Sequence, residues 1–271
     1  MSNVLHVFQS DPNRSYEKDL MTAQVQACLQ KEIHSLEQVQ TVQAQLGAES
    51  LLVTENTEWS LAADKYILLR YGLRELWDAG KLNTLLITSA MPSEGKTLTA
   101  LNLAMSLSEH GRYKVAVIEG DFRKPALCAR LGLEPWPGLL KCLQEQRGDL
   151  SALRRVDPLG FYLLPAGETA SRPTALLGSE TLSGIIDELK ACMDWVIIDA
   201  PPASPIPDVL AMKKHADGCL WVLRAGSTPR EAVEEGIRLI GRDFILGMVL
   251  NNAEEVESSY SKCYEYYGSA V

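Results

Sequence analysis

Residues 90–97 read Ala-Met-Pro-Ser-Glu-Gly-Lys-Thr (AMPSEGKT), straight after the apolar run Leu82–Thr88 (LNTLLIT) and straight before a helix-compatible stretch from Lys96 to Glu109. All but the first position fit the phosphate-loop pattern G-x-x-x-x-G-K-[S/T]; Ala90 stands where the pattern has Gly. In a strand–loop–helix setting each residue type has a task. Loop amides turned inward form an anion nest. The helix that follows adds the positive end of its dipole. Gly95 lets the backbone approach a phosphate closely. Lys96 supplies a point charge between the β- and γ-phosphates, and Thr97 offers a hydroxyl to Mg²⁺. The expected cofactors are therefore ATP and Mg²⁺, with Ser93, Glu94, Gly95, Lys96, Thr97 and Leu98 contributing to nucleotide binding.

Around this loop, short apolar runs alternate with helical ones. Lys114–Ile118, Phe161–Leu164, Trp195–Ile198, Cys219–Leu223 and Phe244–Leu250 are strand candidates beside Leu82–Thr88, and helices are expected at about 60–79 and 181–192. Continuous apolar strands alternating with helices predict an α/β fold, a mostly parallel sheet with helices on both faces. Ligands in such sheets sit at the carboxyl ends of the strands. Upstream, residues 16–46 read as helical, with Leu29, Ile33, Leu36 and Val39 on one apolar face, and 47–57 read as a linker. The expected organisation is a helical extension and linker over 1–57, a catalytic domain over 58–255 and a tail over 256–271.

Two strand candidates end in acid. VAVIEGDFRKP (115–125) carries Glu119 and Asp121, and DWVIIDAPP (194–202) carries Asp199. A carboxylate at the end of an apolar strand near a phosphate loop binds Mg²⁺, directly or through water, or orients the attacking group. Of Glu119 and Asp121, one could hold the metal and the other accept the nucleophile's proton; with Lys96 and Asp199 they form the expected catalytic set, and Thr97 offers its hydroxyl to the metal. Glu119 and Asp121 lie two apart, so on an extended chain they point the same way. Arg123 and Lys124 can neutralise phosphate charge or lie on the surface.

Composition removes other classes. The net charge is −9, which disfavours a dedicated nucleic-acid binder. The six cysteines form no C-x-x-C pair and no zinc spacing with the four scattered histidines. No run approaches the roughly 18 apolar residues of a membrane span. Four of the nine tyrosines, Tyr260, Tyr264, Tyr266 and Tyr267, cluster in SSYSKCYEYYGSAV at the carboxyl end. Such a tail either packs on a neighbour or presents phosphate acceptors, each of which would gain close to −2 charge.

Together AMPSEGKT, EGDFRKP, IIDAPP and the tyrosine cluster resemble the bacterial tyrosine kinases of capsule and exopolysaccharide machinery, whose fold is that of P-loop NTPases. The resemblance covers roughly 58–271 and includes LPAGETASRPTALLGSE (164–180), LWVLRAGST (220–228) and VLNN (249–252). It implies a kinase that phosphorylates its own terminal tyrosines between neighbouring subunits. It also implies Lys96 and Thr97 on ATP and Mg²⁺, Asp121 and Asp199 around the metal, and nucleotide contacts from Arg123, Arg224 and Asn251, with Asn251 at the base. It further implies a ring-like homo-oligomer, a transmembrane polysaccharide co-polymerase as activator, a tyrosine phosphatase, and a cytoplasmic site at the inner membrane reached through the partner. Two positions depart from the family pattern. Glu119 stands where the family has Asp, and in DKYILLR (64–70) Ile67 stands where the family's E-x-x-R-x-x-R helix has its first Arg. Two rival readings share the sheet. One is a ParA/MinD-type ATPase switch, whose loop carries an extra Lys at the position of Met91; the other is a nucleotide-binding scaffold without catalysis.

Overall fold

Eight strands form one sheet: β1 (Thr41–Gln43), β2 (Thr84–Ser89), β3 (Val115–Glu119), β4 (Arg154–Asp157), β5 (Phe161–Leu164), β6 (Trp195–Asp199), β7 (Gly218–Arg224) and β8 (Ile245–Asn251). The computed structural model describes residues 36, 39–47, 52–53, 61–170, 173–204 and 207–253. Residues 1–39 and 40–271 are two units; of the first, only Leu36 and Val39 are described. Most of the helix expected from residue 16 lies outside the described residues.

The strand order is β1-β4-β5-β3-β6-β2-β7-β8. Every pairing is parallel except β4 with β5. The expected mostly parallel sheet is therefore present, and its six apolar runs all became strands. Each residue of β2, β3 and β6 is buried. Strands buried on both sides cannot alternate polar and apolar residues, which explains their continuous runs.

The remaining two strands differ from expectation. Residues 41–43 belong to a strand at the sheet edge, paired with β4 from Thr41↔Arg155 to Gln43↔Asp157; the helix expected through residue 46 is corrected there. Thr41 and Val42 are β-branched and suit an extended chain once an edge is available. β4 reads RRVD, too charged to be seen as a strand, and it turns back antiparallel on β5 through Val156↔Phe161.

The helices are α1 (Leu61–Asp78), α2 (Lys96–Ser108), α3 (Leu127–Arg130), α4 (Leu139–Gln144), α5 (Thr174–Leu177), α6 (Glu180–Cys192), α7 (Asp208–Lys213) and α8 (Arg230–Ile240). The three expected from sequence, α1, α2 and α6, start and stop within about two residues of prediction. Ser179 caps α6, its Oγ accepting from the Leu182 N–H at 3.2 Å. Leu101, Leu103 and Leu107 of α2 enter one core with Leu85, Ile87, Val117 and Ile197 of the central strands. Truncating any of these to Ala removes about 2–5 kcal/mol.

α1 is fastened to the end of α2. Glu109, which closes α2 in a left-handed conformation, accepts Arg74 at 2.8 Å and Arg70 at 3.4 Å. Arg70 also donates to the Ser106 carbonyl at 2.8 Å. Arg70 thus satisfies a carbonyl at the negative end of α2, while Arg74 neutralises the Glu109 carboxylate there. Trp77 of α1 stacks on Trp195, with ring centroids 5.9 Å apart. The buried half of α1 orients the central helix, and with it the loop that precedes Lys96.

Candidate functional site

Three central strands, β3, β6 and β2, are neighbours in the sheet, and being parallel they release their loops on one side. The 90–97 loop leaves β2 and turns sharply. Ser93 has φ 65° and Gly95 φ 97°. Any Cβ at Gly95 would lie 1.9 Å from Asn251 Nδ2, so glycine is required there for space as well as for conformation. Ala90, at the position the pattern gives to Gly, is wholly buried without conflict. The Met91 N–H donates to Glu94 Oε2 at 2.8 Å, closing the loop on itself. Leu98 is partly buried and packs against the core.

Lys96 stands at the centre. Its Nζ lies 3.1 Å from Asp121 Oδ2 and 3.4 Å from Thr97 Oγ1. Burial works against the ammonium charge, yet Asp199, then Asp121 and Glu119, outweigh it and raise the Lys96 pKa. Lys96 is therefore held as a cation, in contact with Asp121 and stabilised at longer range by Asp199 and Glu119. Asp121 also accepts the Lys124 N–H on Oδ1 at 3.1 Å.

The β3 and β6 ends approach closely. The Gly120 N–H donates to the Asp199 carbonyl at 2.8 Å, and a Cβ on Gly120 would sit 2.0 Å from Met212 Cε. A larger residue there would have to displace the Met212 side chain and would press on the Asp199 carbonyl, 3.2 Å away. Asp199 is 1% exposed, and its Oδ1 has no hydrogen-bond partner among the described residues. Burial pushes its pKa up to about 6, opposed by Lys96 and by a hydrogen bond from Thr97.

Mg²⁺ fits this set. A buried carboxylate oxygen without a partner, beside the Thr97 hydroxyl, is what a hydrated magnesium ion satisfies. Among the described residues no cluster of three His, Cys, Asp or Glu forms an all-protein cage. A phosphate-loop magnesium needs none, because substrate phosphates and water complete its shell.

Glu119 is placed differently from expectation. Its Oε1 accepts the N–H groups of Ala126 and Leu127, the latter at 2.7 Å, and its Oε2 accepts Ala166 N–H at 2.9 Å. It does not share hydrogen-bond partners with Asp121, although the two lie two apart in sequence. At Gly120 and Asp121 the strand has ended, so the extended geometry behind that expectation no longer applies.

The outer residues also have definite places. Arg123 Nε pairs with Asp208 Oδ2 at 2.7 Å, and Asp208 Oδ1 accepts the Thr174 hydroxyl. Asn251 Nδ2 donates to the Glu94 carbonyl at 2.9 Å. Arg224 is exposed at the end of β7, its N–H donating to Thr228 Oγ1 at 2.9 Å. Tyr260, Tyr264, Tyr266 and Tyr267 lie outside the described residues.

No family model matches the chain. Tyrosine-protein kinase CpsD of Streptococcus agalactiae is 32% identical over 200 residues, which cover 70% of this chain and 84% of the relative. The chain belongs to the bacterial tyrosine kinase family. Succinoglycan biosynthesis transport protein ExoP of Rhizobium meliloti (strain 1021) is 29% identical over 174 residues, 62% of this chain but 22% of that protein. Among solved structures, the kinase domain of VpsO superposes with a TM-score of 0.63 at 27% identity, over 72% of this chain and 97% of that one.

Within this kinase, sequence reasoning missed Asp208, Thr174 and Thr228. Asp208 had one usable signal, a carboxylate following Pro207 at the start of a short helix in the loop after the β6 acid. Thr174 and Thr228 had none beyond lying in the quoted segments 164–180 and 220–228, because a threonine's partner is decided only by folding.

Proposed function

We propose that this bacterial tyrosine kinase transfers the γ-phosphoryl group of Mg·ATP to Tyr260, Tyr264, Tyr266 and Tyr267 of a neighbouring copy, and that this cycle regulates exopolysaccharide or capsule synthesis or export. The observation that carries the reading is Lys96 of the phosphate loop, paired with Asp121 at 3.1 Å and kept charged by the field of Asp199.

In the reaction a tyrosyl oxygen attacks the γ-phosphorus in line with the β–γ bridging oxygen, and the bond to ADP breaks. Lys96 offsets the charge on the γ-phosphoryl oxygens and the departing phosphate. To do so it exchanges its Asp121 contact for phosphate, which exposes Asp121 Oδ2 to take the tyrosyl proton. Thr97 and, through water, Asp199 would hold Mg²⁺, which supplies charge neutralisation across the β- and γ-phosphates. Glu119 serves as a tie: three backbone N–H groups from two loops converge on its carboxylate. Arg123, anchored on Asp208, and Asn251, on the loop backbone, would contact the nucleotide.

Self-association is supported by the outer face of α1, where Leu68 is 63% and Tyr71 58% exposed while Arg70 is turned inward to α2. Among the described residues no helix is long and apolar enough to cross a membrane. The related region is about a fifth of ExoP, a transport protein. We infer that a separate transmembrane co-polymerase activates this kinase from the membrane, that a tyrosine phosphatase reverses its modification, and that it works at the cytoplasmic face.

Intact-mass spectrometry after incubation with ATP and Mg²⁺, with the activator's cytoplasmic segment fused on, tests the reading. Successive phosphate additions confined to the peptide containing 260–267 are expected. Phosphate release without additions would instead indicate an ATPase switch.

A further inference from the structure

Glu94 is an acid inside a loop whose expected ligand is a triphosphate, and it is 3% exposed. A buried carboxylate needs compensation, and next to phosphate it would otherwise be repulsive. Two contacts meet the carboxylate, and a third holds the backbone of the same residue. Oε2 accepts the Met91 N–H at 2.8 Å. Oε1 accepts the Thr228 hydroxyl. The Glu94 carbonyl accepts Asn251 Nδ2 at 2.9 Å. Two of these donors come from outside the loop, 134 and 157 residues later in sequence.

Thr228 is itself held from the other side. Its Oγ1 accepts the Arg224 N–H at 2.9 Å and lies 3.2 Å from the Arg224 carbonyl. One hydroxyl therefore joins the turn after β7 to the phosphate loop. The loop has real strain to hold, with Ser93 at φ 65° directly before Glu94.

We propose that Thr228 is a positioning residue for the nucleotide site: by donating to Glu94 it holds the 90–97 loop in the shape that receives phosphate, and so sets nucleotide affinity. This rests on the kinase reading above, and in particular on that loop binding ATP. Among the described residues the Thr228 hydroxyl bonds to Glu94 and Arg224, not to Lys96 or Asp121, so it acts on binding and leaves the chemical step to them. Without its hydroxyl, Glu94 Oε1 loses its donor, the carboxylate swings, and the Met91 N–H loses its acceptor. Phosphate must then reorder the loop at each binding event, which appears as weaker affinity.

The test is titration of the full chain with a fluorescent ADP analogue and Mg²⁺, alongside initial phosphorylation rates at saturating ATP. Thr228→Val is expected to raise Kd at least fivefold while the saturated rate stays within twofold. Thr228→Ser, which keeps the hydroxyl, is expected to restore both. Because Thr228→Val also releases the Arg224 N–H, a double-mutant cycle separates the two routes. In a Glu94→Ala background, Thr228→Val is expected to change Kd by less than twofold. A full fivefold effect persisting there would place the action at Arg224 and overturn the proposal. So would a Thr228→Val chain of wild-type Kd. If Thr228→Val melts early, Thr228→Ala in the same cycle is decided by the same criteria. A wild-type chain that takes up no ADP analogue would instead sink the nucleotide site itself, a separate outcome read in the first titration.

Discussion

Glu119 and Asp199 end neighbouring strands at paired register positions, and both are buried, yet their surroundings are opposite. Glu119 receives three backbone N–H groups, while Asp199 keeps one oxygen without a partner among the described residues. The first is a satisfied carboxylate that fastens loops. The second is held at a cost that a metal ion can relieve, its pKa lifted by burial to about 6. The contrast teaches that two equally buried acids can differ in what they have left to bind: the one with an unmet valence keeps an oxygen for a ligand.

The largest effect should come from Asp199→Asn. Phosphoryl transfer is expected to fall about a thousandfold or more, the size of losing one preorganised electrostatic group. The nucleotide-free chain should meanwhile become more stable. A folded pKa above the unfolded 3.8 means that the carboxyl group's stabilising contribution is complete below pH 3.8 and lost as pH rises through about 6. That gap corresponds to roughly 3 kcal/mol, so thermal melts should show the Asn variant ahead at pH 8 and level at pH 4. An Asn variant that melts lower at pH 8 would break the comparison.

Glu119→Gln should do the reverse. Gln presents one acceptor where two oxygens now serve three donors, and the loss is expected to be about 2–4 kcal/mol in denaturant unfolding. Well below the melting temperature the phosphorylation rate should stay within about tenfold. A rate loss matching that of Asp199→Asn would restore Glu119 to the catalytic set.

A smaller effect concerns pH and metal. On the proposed role of Asp199 in holding Mg²⁺, which needs the ionised carboxylate, Mg·ATP binding should tighten by about tenfold from pH 5 to pH 7, following titration near 6. In Asp199→Asn that dependence should flatten, which isothermal titration at the two pH values checks. Smallest of all, Asp208→Asn weakens the anchor of Arg123 and should raise the Km for ATP a few-fold with little change in saturated rate.

Much of this was legible beforehand because its signals are local. The phosphate loop is contiguous, and the apolar runs of β2, β3 and β6 announce themselves by continuity. Strands without such runs were not legible: β1 and β4 exist through each other's edges and through β5. Glu119 was read as a partner of Asp121 because the two are close along the chain. Its actual partners at 126, 127 and 166 arrive from loops whose course no local rule predicts.

The amino-acid sequence by itself determined the class of sheet, the phosphate loop with Lys96 and Thr97, and the acids that could serve it. These follow from side-chain chemistry and from hydrophobic period, which are properties of short segments. Which carboxylate is tied and which is left open, and that Thr228 reaches Glu94, were decided only by the tertiary structure. A hydrogen bond spanning more than a hundred residues depends on how the strands are ordered side by side.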